Sequence, residues 1–120
     1  MLPVGSGRDP LYGSAGKEEE EVVMPTYVVL INWTDQGIRT VGETVQRRDQ
    51  ADALAEKHGA RIEQVYWTVG PYDIVTIVEA PDDESATAMV LELSSGGNLK
   101  TTTLRAYDRE EMSGIIQRLD

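Results

Sequence analysis

Asp73 is the first residue to invite a chemical reading. It stands in Trp67-Thr68-Val69-Gly70-Pro71-Tyr72-Asp73-Ile74, and aspartate is a poor strand former set among good ones. In a partly apolar pocket its carboxylate would hold a proton more tightly and could act as a general base or orient a ligand. The plainer reading has it accept backbone amides near a turn, or pair with Arg61 or Arg105. His58, the single histidine, is the second candidate for moving a proton. It stands just before Gly59, where a protonated imidazole would also suit the negative end of a helix. Tyr27, Asn32, Trp33, Trp67 and Tyr72 offer an amide and aromatic rings of the kind a planar organic ligand requires. Core packing and subunit contacts account for the same residues. Arg105, close to Thr101, Thr102 and Thr103, suits a carboxylate or another anionic group, or an ion pair across a sheet. The candidates are therefore Asp73 and His58 for catalysis, and Tyr27, Asn32, Trp33, Trp67, Tyr72 and Arg105 for ligand binding.

Much other chemistry is excluded. With no cysteine there is no disulfide, thiolate metal site or thiol nucleophile. One histidine rules out a multi-histidine metal centre in one subunit. Asp82-Asp83-Glu84 is explained by its place at a helix start, so no metal and no cofactor are expected. Gly96-Gly97 follows a helix rather than preceding one, the wrong order for cradling phosphate. The net charge is −10. The first 24 residues carry two basic and five acidic side chains, so −7 belongs to the remainder. An acidic surface without a Lys/Arg stripe disfavours nucleic acid and anionic membranes as partners. No apolar run is long enough to span a bilayer, and the amino terminus lacks the layout of a signal peptide. The expected location is the cytoplasm.

These side chains must be positioned by one domain, since 120 residues with 40% hydrophobic and 27% charged composition describe a soluble chain that can bury a core. Residues 1–24 are rich in Gly, Pro and Ser, end in KEEEEVVM, and have the composition of a disordered acidic tail. Lys17 to Glu21 also reads as a translated purine-rich ribosome-binding site, which makes Met24 an alternative natural start. The domain is assigned to residues 25–120. TYVVLINW (26–33) is a strand, nearly continuously apolar as if covered on both faces. Thr34 or Asp35 caps the helix that follows, and a kink or two short helices are expected around Gln46 to Asp49, where two apolar registers fail to join. Gly59 ends that helix. RIEQVYWTV (61–69) and YDIVTIVEA (72–80) are strands. Gly70-Pro71 between them fits a two-residue type II′ turn, with a longer, bulged loop as the alternative. PDDESATAMVLELS reads as a helix capped by Asp82, with Ala86, Met89, Val90 and Leu93 on one stripe. NLKTTTLRAY (98–107) is the fourth strand. A short last helix opens on a capping box of Asp108 and Glu111.

The order β-α-β-β-α-β-α is the ferredoxin-like α+β arrangement, a four-stranded antiparallel sheet with two helices on one face. Apolar residues on both faces of the strands call for a second copy to cover the bare side. MPTYVVLINWTDQGIR, VGPYDIVTIVEAPDDE and GGNLKTTTLRAY together resemble the GYD-domain family of small bacterial proteins, from Met24 to about Leu119. The resemblance implies two ferredoxin-like sheets packed face to face as a dimeric α/β barrel. It carries no reaction over to this chain, because one fold hosts many activities. Three functions compete. The first is a homo-oligomer binding a small organic ligand between sheet and helices, its pocket lined by Tyr27, Trp33, Trp67, Val75 and Ile77. The second is a cofactor-independent monooxygenase- or isomerase-like enzyme using Asp73 or His58. The third is an assembly or partner-binding protein with no ligand.

Overall fold

The computed structural model describes residues 23–119. The tail assigned to residues 1–24 lies outside the described residues, Val23 and Met24 apart, and the last helix, the 25–120 domain's end, is described to Leu119. The elements run β1 (Thr26–Trp33), α1 (Asp35–Arg39), a 3-10 turn (Val41–Glu43), α2 (Thr44–Lys57), β2 (Arg61–Trp67), β3 (Ile74–Glu79), α3 (Asp83–Ser94), β4 (Leu99–Ala106) and α4 (Arg109–Gln117). The sheet order is β2-β3-β1-β4 with every pairing antiparallel. This is the ferredoxin-like α+β fold, with the first strand central because it pairs on both sides.

Alternation along β1 and β3 decides which face the helices cover. Tyr27, Val29 and Ile31 are buried, as are Ile74, Thr76 and Val78, while the residues between them are only partly covered. Ala55 of α2 and Ala86, Met89 and Val90 of α3 complete the core on that side. Met89, Val29 and Val78 are the largest side chains almost wholly removed from water, each contributing roughly 1.5–3 kcal/mol. In β2 the phase slips at a bulge between Ile62 and Gln64. Ile62 and Val65, three residues apart, consequently face the same side, which strict alternation forbids.

The caps follow from the residue types. Thr34 accepts from the Gly37 amide at 3.0 Å and Asp82 from the Ser85 amide at 2.8 Å. Asp108 and Glu111 form a reciprocal capping box. Each such cap is worth about 1 kcal/mol. Gly59, with φ of +73°, ends α2 in the left-handed region.

Two expectations are corrected. The break in the first helical segment falls at Thr40–Glu43, and α2 continues straight through Gln46–Asp49. The apolar spacing misled because Ile38 and Val45 are exposed, at 48% and 67%. The β2–β3 connection is the longer of the two loops considered. The strands stop at Trp67 and resume at Ile74, and the Thr68 amide closes the loop on the Asp73 carbonyl at 2.8 Å. Asp73's own amide bonds the Ile31 carbonyl of β1 at 2.9 Å, so the hairpin end is tied to the neighbouring strand as well as to itself. Gly70 lies in that loop at φ +141°, a value that L side chains rarely adopt.

Candidate functional site

Between the covered face of the sheet and helices α2 and α3 lies a cavity of about 440 Å³. Its floor is Val29, Ile31 and Trp33 of β1 and Ile74 and Thr76 of β3, continued by Ile62, Val65 and Trp67 of β2. Met89, Val90 and Leu93 of α3 close one side. Over the floor runs one stripe of α2: Thr44, Arg47, Arg48, Ala51 and Leu54, at the three- and four-residue spacing that keeps side chains on one helical face. The walls are mainly aliphatic and aromatic, and both tryptophans of the chain belong to them.

A few polar groups interrupt these walls, and most of them are satisfied within the protein. The Trp67 indole donates to Thr44 Oγ1 at 3.0 Å. Arg48 Nε is held by both carboxylate oxygens of Asp52 at 3.1 and 3.2 Å. Glu92 accepts from Lys57 Nζ at 2.9 Å and meets His58 Nε2 at 2.8 Å. Lys57 and then His58 hold its carboxyl below the usual glutamate range. Two groups differ. Trp33 Nε1 and Arg47 Nη1 are buried and have no hydrogen-bond partner. Arg47 is nonetheless fixed at its other nitrogen, since Nη2 donates to Thr40 Oγ1 at 2.5 Å and to Glu43 Oε1 at 3.3 Å.

The residues singled out from the sequence are distributed over four places. Trp33 and Trp67 line the cavity. Asn32, Tyr72 and Asp73 gather at the β2–β3 loop, outside the lining. There an Asp73 carboxylate oxygen accepts from the Trp33 amide at 2.9 Å and from Asn32 Nδ2 at 3.4 Å, and Asn32 Nδ2 donates to the Pro71 carbonyl at 2.8 Å. The Tyr72 carbonyl accepts from Thr68 Oγ1 at 2.6 Å. Tyr27 and Arg105 meet at the opposite end of β1. The Tyr27 hydroxyl donates to Asp83 Oδ1 at 2.5 Å, and burial first, then this carboxylate, pushes its pKa up to about 12. Arg105 packs over the Tyr107 ring at 4.5 Å and the Tyr27 ring at 5.7 Å, and pairs with Glu111 at 3.3 Å. His58 is occupied by Glu92, which lines the cavity while His58 does not. Val75 and Ile77, expected in the pocket, stand out of phase with the lining residues Ile74 and Thr76 and belong to the other face of the sheet.

Arg47 and Thr44 are cavity residues that residue type and apolar spacing did not single out. The signal was present: a helix whose inward stripe begins Thr44, Arg47, Arg48 before reaching Ala51 and Leu54 puts polar groups where packing alone would place apolar ones.

Three likenesses complete the description. The GYD domain family matches residues 27–116. A Thermus thermophilus protein described as "Glutamine synthetase and cystathionine beta-lyase binding protein" is 38% identical over 97 residues, covering 80% of this chain and 99% of that protein. The crystal structure of MtbAldR superposes with a TM-score of 0.58 at 16% identity, covering 78% of this chain. The chain spans 60% of that protein's length, and at this identity the likeness speaks for the fold alone.

Proposed function

The chain belongs to the GYD domain family, and on that premise we propose that it is a homodimeric binding protein whose sheet–helix cavity takes a small organic ligand. The cavity of about 440 Å³, largely apolar and lined by two residues, Trp33 and Arg47, that each carry a buried donor without a partner, carries the reading. Its volume falls in the range of small-molecule sites, and a few placed polar groups on apolar walls are their usual composition. Dimerisation is supported by the other face of the sheet. Val28, Leu30, Val75 and Ile77 are only partly covered there, with Tyr66 and Leu104 exposed at 54% and 46%. A second copy's sheet would bury this surface. A proton-transfer role for Asp73 or His58 has less support, because each is already engaged and neither lines the cavity.

Native mass spectrometry of protein purified gently from its own host tests both halves. The expected species has twice the chain mass and carries an added small molecule, which disappears when Ala51→Trp fills the cavity. A monomer refutes the assembly. A dimer with no added mass, whose tryptophan fluorescence ignores every apolar ligand offered, refutes the site.

The Thermus relative favours a second reading, docking onto a partner enzyme, since that protein is named for binding glutamine synthetase and cystathionine β-lyase. Helix α4 offers a surface for such docking: Met112 and Ile116 on it and Leu119 just beyond it are exposed at 45%, 50% and 76%. Sedimentation of the purified chain with each of those two enzymes decides it. Co-migration abolished by Ile116→Glu is expected on this reading, and independent migration rules it out.

A further inference from the structure

Resting on the reading of the cavity as a ligand site, we infer that its ligand is an organic carboxylate with an apolar body, whose carboxylate is held by Arg47. Matching donors to acceptors around the wall leads to this ligand. Every charged group on the cavity wall has a partner inside the protein at some atom. Arg48 has Asp52, Glu92 has Lys57 and His58, and Arg47 has Glu43 through Nη2. The two side-chain groups on this wall that remain buried and unpartnered, Arg47 Nη1 and Trp33 Nε1, are both donors. A buried donor without an acceptor costs free energy, more so when it is charged. The complementary ligand therefore brings acceptors, and a negative charge to meet the guanidinium. An ammonium would leave both groups unsatisfied, and a neutral amide offers only its one carbonyl oxygen and no charge. Glu92 does not reverse this preference, because both of its carboxylate oxygens are already engaged by Lys57 and His58, whereas the Glu43 partner of Arg47 leaves Nη1 unengaged.

Arg47 is also held ready. Nη2 is anchored by Thr40 and Glu43 at the 3-10 turn, so the direction of Nη1 is set before a ligand arrives and little side-chain freedom remains to be lost. With Nη2 already engaged and mainly apolar walls around the guanidinium, a singly charged carboxylate fits better than a phosphate, which collects several donors. The indole N–H of Trp33 takes a second acceptor, the other carboxylate oxygen or a carbonyl on the ligand body.

The two tryptophans of the chain both line the cavity, so intrinsic fluorescence reports occupancy directly. The full chain is titrated with straight and branched alkanoates of four to eight carbons and with phenylacetate, alongside the corresponding neutral amides. Acids are expected to bind at least tenfold more tightly than their amides. Arg47→Met, which keeps the length and removes the charge, is expected to abolish that preference while leaving circular dichroism unchanged. Trp33→Phe, read through Trp67, is expected to weaken the acids severalfold, and it serves as the second test should Arg47→Met fail to fold. If acid and amide bind alike, or the preference survives Arg47→Met, the charge assignment is overturned and the cavity site stands. If no probe of either kind perturbs the fluorescence, both fall.

Discussion

Asp73 holds the backbone amide of Trp33, and removing its carboxylate measures that link. An oxygen of Asp73 accepts from the Trp33 N–H at 2.9 Å, and the second contact, from Asn32 Nδ2 at 3.4 Å, is long enough to add little. Hydrogen bonds to charged groups are worth about 1.5–3 kcal/mol. Asp73 is half-buried, so its exposure argues for the lower part of that range. Asp73→Ala should therefore cost about 1.5–2 kcal/mol, equivalent to a fall in Tm of roughly 4–8 °C per kcal/mol in a domain of this size. Asp73→Asn still presents an oxygen to the same amide without the charge, and its loss should stay near 0.5–1 kcal/mol. Urea unfolding and thermal melts, run at one protein concentration because the midpoint of the proposed dimer depends on it, would separate the three proteins. The link is refuted if Asn costs as much as Ala, or if Ala lies within about 0.5 kcal/mol of the parent, the scatter expected of an uninvolved surface site. A substrate turned over by the parent but not by a fully stable Asp73→Asn protein would restore the general-base reading.

Gly37→Ala should cost about 3 kcal/mol in urea unfolding, the upper end for forced overpacking, because a Cβ there would lie 2.1 Å from the Asn98 carbonyl oxygen, which also accepts the Thr34 amide. Gly42→Ala, with nothing within 4 Å, is the control and should be neutral or slightly stabilising. Tyr27, with its pKa pushed up to about 12, stays protonated when folded under conditions that ionise it when unfolded. Its contribution to stability should thus be flat below about pH 10 and fall as pH rises towards 12, and Tyr27→Phe should remove that part of the fall in alkaline urea titrations. Glu92 has the opposite sign: its folded pKa is depressed, so its contribution is present above the ordinary glutamate pKa and is lost as pH falls through the depressed value. Glu92→Gln should flatten that acid-side slope, and added salt should weaken it in the parent because Lys57 and Glu92 are partly exposed.

The fold was legible because its signals are local and repeated: β-branched, nearly continuous apolar runs in β1 and β3, side-chain caps at Thr34, Asp82 and Asp108, and Gly59 as a stop. Several of the failures arise where polar side chains took over tasks that apolar spacing was expected to reveal. Thr68 and Asp73 close the β2–β3 loop through their own hydrogen bonds, so residues with good strand propensity leave the ladder early. The bulge at Ile62/Gln64 shifts the phase of β2, and no alternation rule reads through such a slip. In α2 the effect is largest. Its first two turns send Thr44, Arg47 and Arg48 towards the sheet, and a search for apolar periodicity registers this only as a register that breaks. A helix that turns its polar residues inward gives up burial it could have had, and a sequence that specifies one fold tolerates such inconsistency mainly where function requires it. Trp33 and Trp67 could be proposed from residue type alone. Arg47 required knowing that it faces a cavity and that one of its nitrogens has no partner there. The break in apolar spacing near Gln46 is therefore better treated as a pointer to the site than as a flaw in the helix.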